Sequence, residues 1–280
     1  MKPTDVHATV ANAYTEALER SRAGKTGCCS GASVATPEQV ASSAYNGYDG
    51  ERDKYEEAAA SSFGCGNPLA FSGVQPGQTV LDLGSGAGFD LLIASDKVGD
   101  TGQVIGVDMT DAMIEAARAA ASKAGKANIE VRKGLIEELP VESEEVDWVI
   151  SNCVVNLSPD KPAVFKEIAR VLRPDGRFSI QDIVVEELPQ WLRESAAAYS
   201  ACVAGAISET DYLAGLRAAG FDDVEVTERL VYDKDQIVGM LAGELEHLDF
   251  KLEGDALEAA LDAVEGKIWS AKFVGGKSRA

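Results

Sequence analysis

The stretch Val80-Leu81-Asp82-Leu83-Gly84-Ser85-Gly86-Ala87-Gly88-Phe89-Asp90 is an apolar run that turns through three glycines spaced two apart. A second apolar run, Val104-Ile105-Gly106-Val107-Asp108, ends in an acid. This is the pattern of a strand, a tight turn and a helix N-terminus, with a carboxylate placed for a ribose. A dinucleotide fold wants its third glycine where this chain has Phe89, because a pyrophosphate needs close backbone approach there. The pattern therefore points to a cofactor without a pyrophosphate, of which S-adenosylmethionine (SAM) is the usual one. The alternative is a strand-to-helix turn with no ligand, and the acid that ends the next strand speaks against it.

The elements that must position these residues are legible in the periodicity. From Thr79 strands alternate with helices. Strands are expected at Thr79–Leu83, Gln103–Val107, Ile129–Lys133, Val146–Asn152 and Arg177–Ile183, and helices at Phe89–Val98, Asp111–Gly125 and Pro162–Leu172. Arg173-Pro174-Asp175-Gly176 reads as the turn into the fifth strand. Such alternation implies right-handed crossovers and an α/β fold: a doubly wound, Rossmann-like, mostly parallel sheet covered on both faces. The tail differs. It holds a helix over Glu209–Ala219, a strand over Val224–Tyr232, a helix over Asp255–Val264, and an alternating run over Trp269–Val274 that suits a late antiparallel strand. The chain is thus expected to divide into an N-terminal helical and loop leader (1–67), a cofactor-binding domain (68–185) and a C-terminal α+β appendage (186–280) that completes the sheet. Within the leader, Thr36-Pro37-Glu38-Gln39 opens a helix with a capping box, and Cys28 and Cys29 fall in a small-residue loop.

In open parallel sheets the ligand lies outside the carboxyl ends of the strands. That rule gathers Asp82 and the loop glycines Gly84, Gly86 and Gly88 with Ser85 around the amino-acid part of the cofactor. It puts Asp108 on the ribose with Met109 beside it, and the segment Gly134-Leu135-Ile136-Glu137 along the adenine. Asn152 and Cys153, after the fourth strand, face the methyl group. Cys153 stands where the methyl acceptor must lie; a buried structural thiol is the even alternative. Two further cysteines tilt the balance. Cys65 lies in a glycine-rich loop before the sheet, and Cys202 lies just after the fifth strand's exit. Three thiols beside a methyl donor suggest a soft, thiophilic acceptor. Asp182 is read either as pointing at the acceptor or as a turn-initiating carboxylate.

Composition narrows the remaining classes. The chain has 280 residues, 45% of them hydrophobic, with a net charge of −20 and a pI near 4.5. So acidic a surface repels nucleic acid and anionic membrane, so neither is expected as a partner. Five cysteines, an odd count without a Cys-x-x-Cys pair, and only His7 and His247 argue against a disulfide framework and against structural zinc. No apolar run is long enough to span a bilayer and no secretion signal is recognisable, so the expected location is the cytoplasm and the expected state a monomer.

Four stretches carry a specific resemblance: Gly64-Cys65-Gly66-Asn67-Pro68; the glycine loop followed by Val107-Asp108-Met109-Thr110; Ile150-Ser151-Asn152-Cys153-Val154-Val155-Asn156-Leu157-Ser158-Pro159-Asp160-Lys161; and Cys202-Val203-Ala204-Gly205-Ala206. In these the chain resembles the arsenite SAM methyltransferases, from about Gly64 to about Val226. The resemblance implies that Cys65, Cys153 and Cys202 bind trivalent arsenic as thiolates, that arsenite and methylated arsenicals are the substrates, and that the activity serves arsenic detoxification. It also implies that Cys153 and Cys202 suffice for a second methylation, with Cys65 dispensable. Cys28 or Cys29 would exchange disulfides with Cys65, restored by thioredoxin or glutathione as external reductant, or would instead capture metalloid. Two rivals stay open: a related methyltransferase acting on another small acceptor, and a metalloid-binding protein without catalysis.

Overall fold

The computed structural model describes residues 3–22, 50–62, 67, 69, 73–194, 196–238 and 255–277. The helix opened at Thr36 and the cysteines Cys28, Cys29 and Cys65 lie outside the described residues. A long helix, α1 (Pro3–Arg22), is followed by the short helices α2 (Glu51–Lys54) and α3 (Glu56–Ala60). Then come β1 (Thr79–Leu83), α4 (Phe89–Val98), β2 (Gln103–Asp108), α5 (Asp111–Lys123), β3 (Ile129–Lys133) and β4 (Val146–Asn152). A 3-10 turn (Val155–Leu157) leads to α6 (Lys161–Val171), β5 (Leu172–Val185), α7 (Gln190–Arg193) and α8 (Ala196–Ser200). The chain closes with α9 (Glu209–Ala218), β6 (Glu225–Val231), α10 (Asp255–Asp262) and β7 (Ile268–Gly276).

All seven strands form one sheet in the order β3-β2-β1-β4-β5-β7-β6. The first five pair in parallel, and β7 inserts antiparallel between β5 and β6. The order reverses between β1 and β4, and that switch point opens a crevice at the strands' carboxyl ends. β6 and β7 belong to this sheet, so the C-terminal region extends the sheet itself. One expectation is corrected: Arg173–Gly176 is not a turn before the strand but a bulge within it. Val146 pairs with Leu172 and Trp148 with Arg177, so β5 carries extra residues on both sides of which pairing continues. Asp175 takes a left-handed φ of 66°, and the bulge is closed by Asp175 N–H to the Lys277 carbonyl at 3.1 Å.

Alternation along the strands sends side chains to two cores. On one face Leu81, Leu83, Ile105 and Val107 pack with Phe165 and Ile168 of α6 and Tyr212 and Leu216 of α9. On the other, Val80, Val104 and Ile150 pack with Leu91 of α4 and Ile114 and Ala117 of α5. A third cluster sits at the carboxyl rim, where Val6 and Val10 of α1 meet Cys153, Leu157, Ile183, Leu192, Ala198, Cys202 and Val203. Among the described residues no helix is long and apolar enough to cross a membrane.

Tyr212 is the largest side chain in the first core with no exposure. Its ring stacks on Phe273 at 4.1 Å between centroids and meets Phe165 at 5.1 Å, joining α9 to both the sheet and α6. Truncating such an aromatic removes its burial and leaves a cavity. Tyr212→Ala is expected to lower the unfolding free energy by about 3–5 kcal/mol, read from urea denaturation.

Candidate active site

A cleft opens at the switch point. The loop after β1 forms its floor, with Gly84, Gly86 and Gly88 at φ values of 62°, 51° and 90°, a conformation that disfavours other residues. At Gly84 a Cβ would also stand 2.5 Å from Val154 Cγ2, so the absence of a side chain lets the loop after β1 touch the exit of β4. Asp108 ties this loop to the end of β2: Oδ2 accepts from Gly86 N–H at 3.0 Å and Oδ1 from Thr110 N–H at 2.8 Å. Of the residues expected around a cofactor, Asp82, Gly84, Ser85, Gly86, Asp108, Met109, Ile136, Glu137 and Asn152 line the cleft. Gly88 does not. It precedes α4, and a Cβ there would press on Ala117 at 3.1 Å, so its small size serves packing between α4 and α5.

The cleft gathers negative charge. Asp82, Asp90 and Asp108 all line it and are all buried. Burial, then the charges of Asp90 and Asp108, hold the Asp82 carboxyl well above its ordinary range. Burial also raises Asp108, against the pull of the backbone donors at Thr110 and Gly86. Asn152 donates from Nδ2 to Asp90 Oδ2 at 3.1 Å. Carboxylates crowded in a low-dielectric crevice favour a cationic ligand, which removes the repulsion that raises them. SAM carries both a sulfonium and an α-ammonium, together with a ribose for Asp108 and an adenine that Met109 and Ile136 can flank. The residues present fit it.

The described cysteines stand beyond the cleft wall. Cys153 and Cys202 are 4% and 3% exposed, in the cluster that shares Val10 and Leu157 with the cleft lining. Both take a left-handed backbone, φ 58° and 63°, uncommon for any residue but glycine. They are linked directly: Cys202 Sγ–H donates to the Cys153 carbonyl at 2.8 Å. Cys153 N–H in turn donates to the Gln181 carbonyl at 2.8 Å. Cys202 carries a free thiol, whereas Cys153 is disulfide-bonded, to a partner outside the described residues. Among the described residues no three His, Cys, Asp or Glu side chains cluster as a metal site.

Beneath these cysteines lies a polar network that sequence reading missed. Asp182 neither points at the acceptor nor starts a turn. Fully buried, it accepts from Asn156 N–H at 3.1 Å, Asn156 Nδ2 at 2.8 Å, Ile183 N–H at 2.9 Å and Tyr212 O–H at 3.3 Å. It thereby pins the 3-10 turn that follows Cys153. Lys161 Nζ donates to the carbonyls of Ser158 and Asn156 from the other side, and burial lowers its pKa against the attraction of Asp182 and Cys202. Helix α1 was missed too, although Val6, Val10, Tyr14 and Leu18 recur at four-residue spacing. It roofs the cleft, and His7 Nε2 meets Glu137 Oε1 at 3.1 Å while Ser158 Oγ–H donates to the same carboxylate. Glu137 thus joins α1 to the rim.

Two outcomes follow from this packing. A Cβ at Gly205 would lie 2.2 Å from the Asn156 carbonyl oxygen, so Gly205→Ala must push the Cys202 loop off the 3-10 turn. The expected result is a loss of about 1–3 kcal/mol in stability, with SAM affinity kept, as urea denaturation and calorimetry would read them. Burial pushes Asp182 from 3.8 up to about 7. A carboxyl raised on folding stabilises the folded state while protonated, so that contribution is whole below about pH 4 and lost as the pH climbs through 7. Urea titrations between pH 4 and pH 8 should show wild type losing more stability with rising pH than Asp182→Asn, which cannot ionise.

Residues 75–234 match the family model described as a methyltransferase domain. The chain is 46% identical over 208 residues to the arsenite methyltransferase of Halobacterium salinarum, covering 74% of this chain and 52% of that protein. It is 31% identical over 227 residues to the arsenite methyltransferase of Mus musculus, covering 78% and 58%. The chain thus spans between half and two thirds of the length of these relatives. Among solved structures it resembles CrArsM of Chlamydomonas reinhardtii, an arsenic(III) S-adenosylmethionine methyltransferase, at a TM-score of 0.62 and 34% identity, covering 77% of this chain and 68% of that one. With the glycine loop, the acid-lined cleft and the two apposed cysteines in place, the chain belongs to the arsenite S-adenosylmethionine methyltransferase family.

Proposed function

We propose that this protein methylates trivalent arsenic, taking the methyl group from SAM and holding the arsenic on cysteine sulfur. The observation that carries the reading is the pairing of Cys153 with Cys202. Two buried cysteines, each in a strained backbone, meet at the edge of a cleft built for a cationic nucleoside. Strain held at two sulfur-bearing residues marks positions fixed by use rather than by packing.

Asp82, Asp90 and Asp108 would hold the cationic and ribose parts of SAM, the glycine loop its amino-acid end, and Met109, Ile136, Glu137 and Asn152 its remaining borders. When bound, SAM supplies an electrophilic sulfonium methyl, which the lone pair of arsenic can take without a general base. The chain's part is alignment and exclusion of water. Arsenite arrives with hydroxyls that thiolates displace, and Cys65, Cys153 and Cys202 are the three sulfurs assigned to this. Because Cys153 is disulfide-bonded, arsenic binding begins with its reduction. Two equivalents of thiol from thioredoxin or glutathione give two cysteine thiols and one external disulfide. Taking the methyl oxidises arsenic by two electrons; the Cys65 sulfur then leaves as a disulfide with an external thiol, which returns arsenic to the trivalent state and releases a proton, so Cys153 and Cys202 are left to hold methylarsenite for a second round to dimethylarsenite. Converting arsenite to methylated arsenicals is the chemistry of arsenic detoxification. The Halobacterium and mouse relatives, named for arsenite methylation, support the substrate.

The test is direct. Protein incubated with SAM, arsenite and thiol should yield methylated arsenicals on speciation. Cys202→Ser should abolish that product while binding SAM as wild type does. Asp108→Ala should weaken SAM about 10- to 100-fold in calorimetry, the loss of charge-assisted hydrogen bonds worth about 1.5–3 kcal/mol. Cys65→Ser should lose turnover on arsenite and keep it on methylarsenite; equal loss on both would refute the assignment of Cys65. Saturable SAM binding without any methylated arsenical would leave a methyltransferase of another small acceptor, and no saturable SAM binding would leave a metalloid-binding protein.

A further inference from the structure

Helix α1, the loop after β3 and the end of the 3-10 turn meet at one carboxylate on the rim of the cleft. They supply His7, Glu137 and Ser158, and all of these line the cleft. His7 Nε2 lies 3.1 Å from Glu137 Oε1, and Ser158 Oγ–H donates to the same oxygen. A carboxylate only accepts, so the imidazole donates through Nε2. Ser158 is itself held in place, since its Oγ accepts from Asp160 N–H at 3.0 Å. Among the described residues no hydrogen bond reaches Glu137 Oε2. Both donors crowd one oxygen and leave its twin for another partner.

The helix does not need this pair to stay on the rim. Val6 and Val10 pack in the cluster of Leu157, Leu192 and Ala198, and Leu18 packs with Ala87 and Met113. The side chains of His7 and Glu137 are 23% and 14% exposed, and a polar tie at so open a place adds little to stability. Its worth lies in geometry. The backbone under Glu137 is already fixed: Glu138 N–H donates to the Leu135 carbonyl at 3.2 Å, and Leu139 N–H to Glu167 Oε2 at 2.7 Å. A Cβ at Gly134 would stand 2.6 Å from Pro140 Cδ, so the loop folds tightly on itself. What stays loose in such a loop is the glutamate side chain, which turns about its own bonds. Two donors on one oxygen remove that freedom and set the direction of the other.

We infer that His7 is a positioning residue for recognition of the cofactor's base: reaching down from α1, it clamps Glu137 so that the second carboxylate oxygen selects a 6-amino purine. The inference rests on the assignment of residues 134–137 to the adenine. Adenine carries a donor at its 6-amino group, which a fixed acceptor can match. Hypoxanthine carries an acceptor there and its donor at N1 instead. A glutamate free to swing can follow the donor to N1, whereas a clamped one is left facing an acceptor and rejects the base. His7 acts through Glu137 and touches neither the methyl group nor arsenic. Helix α1 thus has a task beyond covering the cleft, since it helps choose the nucleoside that enters.

Calorimetry on the full-length chain, with S-adenosylhomocysteine and S-inosylhomocysteine as probes, reads the clamp without any turnover. Wild type should favour the adenine compound about 100-fold, the worth of a hydrogen bond to a charged group. His7→Leu should cut that preference about tenfold, and His7→Gln, which keeps a donor near the place of Nε2, should restore most of it. Mere loosening of α1 would weaken both compounds alike and leave their ratio untouched. Glu137→Gln, whose amide offers a donor as well as an acceptor, should abolish the preference. If His7→Leu does not fold, His7→Ala serves in its place. A wild-type ratio in the folded His7 variant, beside a lost preference in Glu137→Gln, overturns the inference and leaves the adenine assignment standing. Failure of that assignment looks different: Glu137→Gln would keep the wild-type preference, and the role of His7 would fall with it.

Discussion

The site depends on how the backbone leaves β4. After Asn152 the chain turns through a left-handed Cys153, whose amide is spent on the Gln181 carbonyl and whose own carbonyl receives Cys202 Sγ–H. These two bonds bring a sulfur from a distant loop to the end of a central strand. The 3-10 turn that follows would drift without support, and Asp182 supplies it from inside the core through Asn156. Gly205 lets the Cys202 loop sit directly on that turn. Cysteine position, turn and loop are therefore one interlocked unit, held by backbone bonds together with the Cys202 Sγ–H.

Charge runs through the molecule on two scales. At the surface, a net charge of −20 keeps the chain apart from polyanions. Within the cleft, burial and then the charges of Asp90 and Asp108 raise the Asp82 carboxyl, which prepares the crevice for a cation. In the core, Asp182 is offset by Lys161 and by its donors, and Lys272 by the Asn67 carbonyl and Glu228. Asp182 accepts from Tyr212 O–H, so one buried charge reaches into the first of the two large apolar cores. Those cores hold the sheet, while the polar groups fix the loops at its rim.

The sheet was legible because its signals are local. An apolar run, a glycine turn and an amphipathic helix can each be read within about a dozen residues, and the β1 to β4 strands fall where periodicity puts them. The cleft followed from the rule that ligands sit at strand ends, which is why Asp82, Asp108 and Asn152 line it as expected. What escaped is non-local. At Gly88 the contact with Ala117 of α5 is set by packing that sequence does not show. Asp182 reads as a rim residue until β5 is seen to run on past it to Val185, paired with β7. Lys272 looks like an ordinary polar position on an alternating strand, since nothing in sequence announces that Asn67 lies across it. Helix α1 was readable from its four-residue spacing, but its alanines and polar residues masked a stripe that matters only once the cleft exists to be roofed.

The left-handed backbone at Cys153 and Cys202 has a genetic consequence. A side chain in that conformation carries a penalty of about 1–2 kcal/mol, and glycine is free of it. Cysteine and glycine codons differ by a single base. At both positions the commonest route of decay therefore leads downhill in conformational energy, toward a more relaxed scaffold that has lost its sulfur. Selection for robustness alone would erode these two positions, so cysteine persists there only while its sulfur is used.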